Sequence, residues 1–168
     1  MNALKITVFF IFFSHINIHF SQNNKIIPEP HKQTIKKGFF YSNESPVIIT
    51  EYHFNSAATL LKDALKKLNF KSDKKSKNII KFTINKNLDA EEYTLSVNPK
   101  EIQIEASSNL GALHAFQSLN QLILFNNKKG VLKIQSQIIN DSPRFKYRGM
   151  HLDVGRHMYS VDFIKKYI

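Results

Sequence analysis

The sequence predicts an α+β fold in which an antiparallel sheet carries two helices on one face. Three observations lead there. Residues 55–69 and 110–125 repeat apolar side chains at the i, i+3, i+4 spacing of amphipathic helices. Between them, 92–106 alternates apolar and polar residues as a hairpin does. The 168 residues, 42% of them hydrophobic, suffice for one ordinary domain and a piece of a second.

In chain order, Met1–Lys5 gives a short positive start and Ile6–Phe13 an apolar run, followed by a mixed stretch to Ser21. The run is too short to cross the roughly 30 Å hydrocarbon layer as a helix, so no stable membrane span is expected. It fits the apolar segment of a signal peptide cleaved near Ser21, which predicts export; a buried N-terminal strand is the competing reading. Residues 22–38 read as an extended arm because Pro28 and Pro30 exclude helix. Gly38 then turns the chain into a short strand at Phe39–Tyr41, and Val47–Thr50 is a second.

The first helix, Asn55–Asn69, takes Asn55 or Ser56 as its cap and turns Leu61, Leu65 and Leu68 inward. Residues 78–84 alternate as a strand. The hairpin follows, with Tyr93, Leu95, Val97, Ile102 and Ile104 on one face and Glu92, Thr94, Ser96, Gln103 and Glu105 on the other, which predicts one wet side. Ser107–Asn109 caps the second helix, Gly130 follows its end, and Val131–Ile139 is the last strand of a layer that closes near residue 140. His114 and Gln117 on that helix read as surface or packing polar groups, since Ser118 stands where a ligand at i+4 would be needed.

The formal charge is +11. A nucleic-acid footprint would need arginines and aromatics interleaved along a basic stripe. Here 21 of the 24 basic residues are lysines spread along the chain, which reads as a solvated surface, and no nucleic-acid partner is expected. With no cysteine there is no disulfide framework and no thiolate metal site. All three arginines, Arg144, Arg148 and Arg156, fall in the last 28 residues, beside His151, Asp153 and His157. Arginine offers a planar five-donor fork that lysine cannot replace, so this stretch reads as part of a site. No second histidine at ligand spacing and no activated serine accompany it, so neither a metal site nor a nucleophile is expected.

Three segments, in order, carry a resemblance. The hairpin with the following Ala106–Leu122 is similar to the N-terminal accessory domain of exported β-N-acetylhexosaminidases of glycoside hydrolase family 20, and Ile26–Pro30 resembles that domain's opening. The run Asp141–His157 is similar to the family's first barrel strand. The resemblance implies a signal peptide at 1–21, an α+β accessory domain at 22–140, and at 141–168 the first strand of an incomplete (β/α)8 barrel. It implies hydrolysis of terminal N-acetylglucosamine or N-acetylgalactosamine from oligosaccharides without a cofactor. The substrate's own acetamide attacks C1, one carboxylate orients it and an adjacent glutamic acid protonates the leaving oxygen. That Asp-Glu pair lies beyond this stretch in the family, so the chain alone is expected to be inactive. Arg148 occupies the place of the family's sugar-binding arginine; pairing with a carboxylate is its other reading. Because barrel sites form at the C-terminal ends of strands, position alone would favour Asp153 over Arg148. Asp153, Arg156 and His157 are expected to support the strand-to-helix turn. A non-catalytic, carbohydrate-associated accessory module is the alternative, against which stands the unpaired strand Tyr147–Val154.

Overall fold

A computed structural model describes residues 26–70, 76–126 and 130–167. The N-terminal apolar run and most of the lysine-rich stretch at 71–77 lie outside these residues. Six strands, β1 (Lys32–Ser42), β2 (Val47–Ile49), β3 (Ile79–Ile84), β4 (Tyr93–Val97), β5 (Glu101–Ala106) and β6 (Leu132–Asp141), form one sheet in the order β1-β6-β4-β5-β3-β2. The helices are α1 (Asn55–Lys66), α2 (Asn109–Asn126) and α3 (Val161–Tyr167). No helix among the described residues is long and apolar enough to cross a membrane.

The sheet is mixed, which corrects the antiparallel expectation. Strand β3 runs parallel to β2 on one side and to β5 on the other, while β4 is antiparallel to both β5 and β6. The cause is α1. A helix that leaves the end of β2 and crosses one face of the sheet returns the chain to the start of β3, so the two strands point the same way. The hairpin turn falls where the alternation placed it. Asn98 Oδ1 accepts from Lys100 N and Glu101 N, each at 3.0 Å, and Asn98 N donates to Glu101 O at 3.0 Å.

Both helices lie on the face that carries Ile80, Phe82, Leu95, Val97, Ile102 and Ile104, all buried. The opposite face keeps Thr94, Ser96, Gln103 and Glu105 half-buried, cross-linked by Thr94 Oγ1 to Asn140 Oδ1 at 2.9 Å and Gln103 Nε2 to Glu105 Oε1 at 2.9 Å. This is the wet side that the alternation predicted.

Two starts differ from the sequence reading. Lys32–Gly38 belongs to β1 and not to an arm, because Pro28 and Pro30 precede the strand and leave its ladder intact. Gly38 does not turn the chain into a new strand at Phe39–Tyr41 but lies inside β1. It sits at φ +98° where the β1–β6 register shifts between Ile35 and Phe39, and Gln135 Nε2 caps the loosened carbonyls of Lys36 and Gly38 at 2.6 and 2.9 Å. Helix α1 has no side-chain cap; a 3-10 turn at Tyr52–Phe54 feeds it, and buried Phe54 stands at the cap position with its ring 6.1 Å from that of Phe82.

Helix α2 does begin on its serines. Ser108 Oγ accepts from Leu110 N at 3.1 Å and donates to the carbonyl of Ala90, while Ser107 Oγ donates to Asp89 O at 2.8 Å. The helix start is thereby stapled to the β3–β4 loop. Contact is so close that a Cβ on Gly111 would stand 2.5 Å from Glu92 O and 3.2 Å from Ala106 Cβ.

The expected strand at Tyr147–Val154 is not formed, and residues 142–160 carry no helix or strand. A strand is stabilised by the ladder beside it, and no described strand lies alongside this stretch. All its side chains but the half-buried Leu152 remain out: Tyr147 is 90% and Met150 72% exposed. Ser160 caps α3, its Oγ accepting from Phe163 N at 3.2 Å, yet α3 buries nothing and stacks only Tyr159, Phe163 and Tyr167 along its surface.

Gly111 yields a prediction in which two effects oppose. Helix propensity favours Gly111→Ala by roughly 1 kcal/mol. The clash is with backbone, so overpacking should win and the variant should lose about 1–3 kcal/mol in urea denaturation. A stabilised variant would contradict the packing at this helix start.

Candidate functional site

The expected site residues divide into two groups. Arg148 reaches back to the loop between β3 and β4, whereas Asp153, Arg156 and His157 form an exposed local turn. In that turn Asp153 Oδ1 accepts from Gly155 N at 2.9 Å and Arg156 N at 3.3 Å, and Arg156 Nε lies 3.3 Å from Asp153 Oδ2. An aspartate folding onto its own following amides is a local preference of the residue. Among the described residues no hydrogen bond or ion pair joins this turn to Arg148, and His157 is exposed.

Arg148 is held at two points. Its Nη1 donates to Phe145 O at 2.7 Å, and its Nη2 donates to Glu91 Oε1 at 2.5 Å. Glu91 comes from the β3–β4 loop that α2 staples, and His114 of α2 brings Nε2 within 3.4 Å of the same carboxylate oxygen. The three side chains are between 33% and 43% exposed. The hydrogen bond from Arg148, then that from His114, holds the Glu91 carboxyl below its ordinary value. His114, read from the sequence as a surface or packing polar group, thus contacts a carboxylate of the β3–β4 loop. Sequence offered no signal for Glu91, because the contact spans 57 residues.

Beside this cluster lies a cleft of about 350 Å³. Its walls are Ile26–Glu29, the α2 side chains His114, Gln117, Ser118 and Gln121, and residues 141–145 with Arg148; Tyr93 lines it from β4. Each wall is pinned. Gln121 pairs with the backbone of Ile27, accepting from its N at 2.9 Å and donating to its O at 2.8 Å. Arg144 Nη2 donates to Glu29 O at 2.7 Å. Asp141 Oδ1 accepts from His31 N at 3.0 Å and lies 3.1 Å from His31 Nδ1.

Tyr93 is 1% exposed, and its hydroxyl shares a hydrogen bond with Ser118 Oγ at 2.6 Å and stands 3.5 Å from Asp141 Oδ2. Burial, chiefly, pushes its phenol above the ordinary value of 10. Ser118 thus meets a phenol and not a base, so the cleft offers surfaces for binding and no nucleophile–base pair among these groups. No group of three or more histidine, aspartate or glutamate side chains among the described residues is placed to hold a metal ion.

Residues 23–142 match the family described as Glycosyl hydrolase family 20, domain 2. Over 146 residues the sequence is 36% identical to a beta-hexosaminidase of Vibrio furnissii, covering 85% of this chain and 23% of that protein. The fold superimposes with a TM-score of 0.71 and 31% identity on a GH20 exo beta-N-acetylglucosaminidase of Vibrio harveyi in complex with N-acetylglucosamine, covering 87% of this chain and 23% of that one. A beta-N-acetylhexosaminidase of Bacteroides fragilis gives 0.69 and 27%, covering 86% and 30%. The chain thus spans about a quarter of the length of these relatives.

Tyr93→Phe should cost about 1 kcal/mol in urea denaturation, since it strands a buried serine oxygen. Its pH dependence has a defined sign. Below pH 10 both states hold the proton; above it the unfolded chain ionises first, so the native protein loses stability as pH rises. The Phe variant should lack that alkaline slope.

Proposed function

The chain belongs to glycosyl hydrolase family 20, and from that premise we propose that it is the N-terminal portion of an exported β-N-acetylhexosaminidase. The enzyme would release terminal N-acetylglucosamine or N-acetylgalactosamine from oligosaccharides. The observation that carries this reading is the match of residues 23–142 to the family's domain 2, together with relatives about four times as long. On this reading 1–21 is a signal peptide, 22–140 the accessory domain, and 141–168 the opening of a catalytic (β/α)8 barrel. Among the described residues no strand lies beside 147–154, which fits a strand whose barrel neighbours come from further chain.

The chemistry proposed is substrate-assisted. No aspartate is followed by a glutamate anywhere in these residues, so the adjacent carboxylate pair it requires would come from the remainder of the barrel. This chain's contribution to the sugar site is Arg148, whose fork can span vicinal hydroxyls. Asp153, Arg156 and His157 would shape the turn that follows the strand.

One observation favours the alternative, a non-catalytic accessory module. The buried core ends at Ile139 and uses nothing from 142–167. Assay of the 168-residue chain on a chromogenic N-acetylglucosaminide tests the fragment reading: no turnover is expected, and clear hydrolysis would overturn it, while the module predicts no turnover either. Limited proteolysis supplies the rest. Cleavage confined to 142–167, with 26–141 surviving, is expected if those residues belong to a barrel; resistance through residue 154 would favour the module. In a polypeptide that joins these residues to a complete barrel, Arg148→Ala should lower kcat/KM by roughly 100-fold, the loss of a charge-assisted contact of about 2–3 kcal/mol.

A further inference from the structure

Lysines that are spread along the sequence are gathered by the fold at one corner of the sheet, where the β1 bulge meets the β4–β5 turn. A Cβ on Gly38 would stand 3.2 Å from Pro99 Cγ, and Gln135 Nε2 holds the bulge through the carbonyls of Lys36 and Gly38. That contact sets Lys36 and Lys37 of the bulge near Lys100 of the turn, all three exposed. Lys133 of β6 adds another ammonium, 4.3 Å from the centroid of the Phe39 ring.

Phe39, Tyr41, Lys133 and Gln135 alternate with the buried Phe40 and Ile134, so they lie on the face opposite the helices. Phe39 is 39% and Tyr41 53% exposed. Attached two residues apart on one strand, roughly 7 Å, the two rings offer apolar faces to a flat ligand. Among the described residues Lys36, Lys37 and Lys100 make no ion pair, and Glu101, next to Lys100, pairs with none of them. Positive charge left without a counter-charge beside exposed rings fits a ligand that carries both anionic groups and apolar faces.

We propose that this corner binds an anionic polysaccharide, the lysines meeting its carboxylates and the Phe39 and Tyr41 rings stacking on its sugar rings. A nucleic acid fits less well, because no arginine lies here to fork onto phosphates. An anionic bilayer fits less well too, because the aromatics stand on a pleated sheet and not on an amphipathic helix. None of these residues lines the cleft, so the proposal does not depend on a barrel or on a sugar-binding role for Arg148.

Titration of labelled polygalacturonate with the 168-residue chain, followed by fluorescence anisotropy, tests it. Binding is expected at about 0.05 M salt and should weaken steeply towards about 0.5 M. Lys36→Gln, Lys37→Gln and Lys100→Gln together should weaken it by about tenfold. Removing the same charge at Lys62, Lys66 and Lys67 of α1, on the other face, should change it by less than about twofold. Tyr41→Ala should cost about fivefold. Equal losses from the two triple variants, or no binding by the folded chain, would overturn the proposal. Unchanged binding by a folded Tyr41→Ala variant, or duplex DNA bound as tightly as polygalacturonate, would reject a polysaccharide as the ligand.

Discussion

The burial of α2 is the constraint on which the other features rest. It packs on β4, β5 and β6 at once and against α1, so it fixes the middle of the sheet. Ala112 and Ala115 allow that approach, and Phe116, Leu119 and Leu122 fill the layer behind them. Its first turn is clamped by the serines to the β3–β4 loop, at a spacing only Gly111 allows. Its middle supplies Ser118 to Tyr93, and its later turns supply Gln121 to the incoming chain at Ile27.

From that helix the cleft is assembled by polar contacts between segments far apart in sequence. The N-terminal segment is held by Gln121 and Asp141, the outgoing segment by Arg144 and Arg148. The two cross at Glu29, whose carbonyl meets Arg144. The arginines that marked the chain's end as unusual thus serve first as ties. Arg144 and Arg148 use directional donors to bind backbone oxygens and a carboxylate, a task for which the guanidinium is suited and an ammonium is not. Arg156 makes a short-range pair within its own turn.

The layer of sheet and helices completes its buried core by Ile139, and 142–167 adds nothing to it. The contacts of Asp141, Arg144 and Arg148 that tie the following stretch to this layer are polar. Exposure of Met150, Val154, Met158 and Phe163 sets the second stretch apart from the first.

How much was legible in the sequence depends on the range of the physics involved. Helix and strand identity followed from side-chain periodicity, so α1, α2 and the β4–β5 hairpin were readable with nearly correct ends, as was the wet face. The signature at 106–122 and 141–157 also pointed to the family. Sheet order was not readable, because α1 imposes a parallel crossover that periodicity does not encode. Nor was the bulge at Gly38, since a glycine marks a turn and a register shift equally well. Tyr147–Val154 shows the limit most plainly: its residues favour a strand, but a strand needs a neighbour. The pairing of Arg148 with Glu91 lay outside the sequence's reach for the same reason. Local chemistry is written in adjacent residues, whereas the partner of a charge 57 residues away is chosen by the packing of α2.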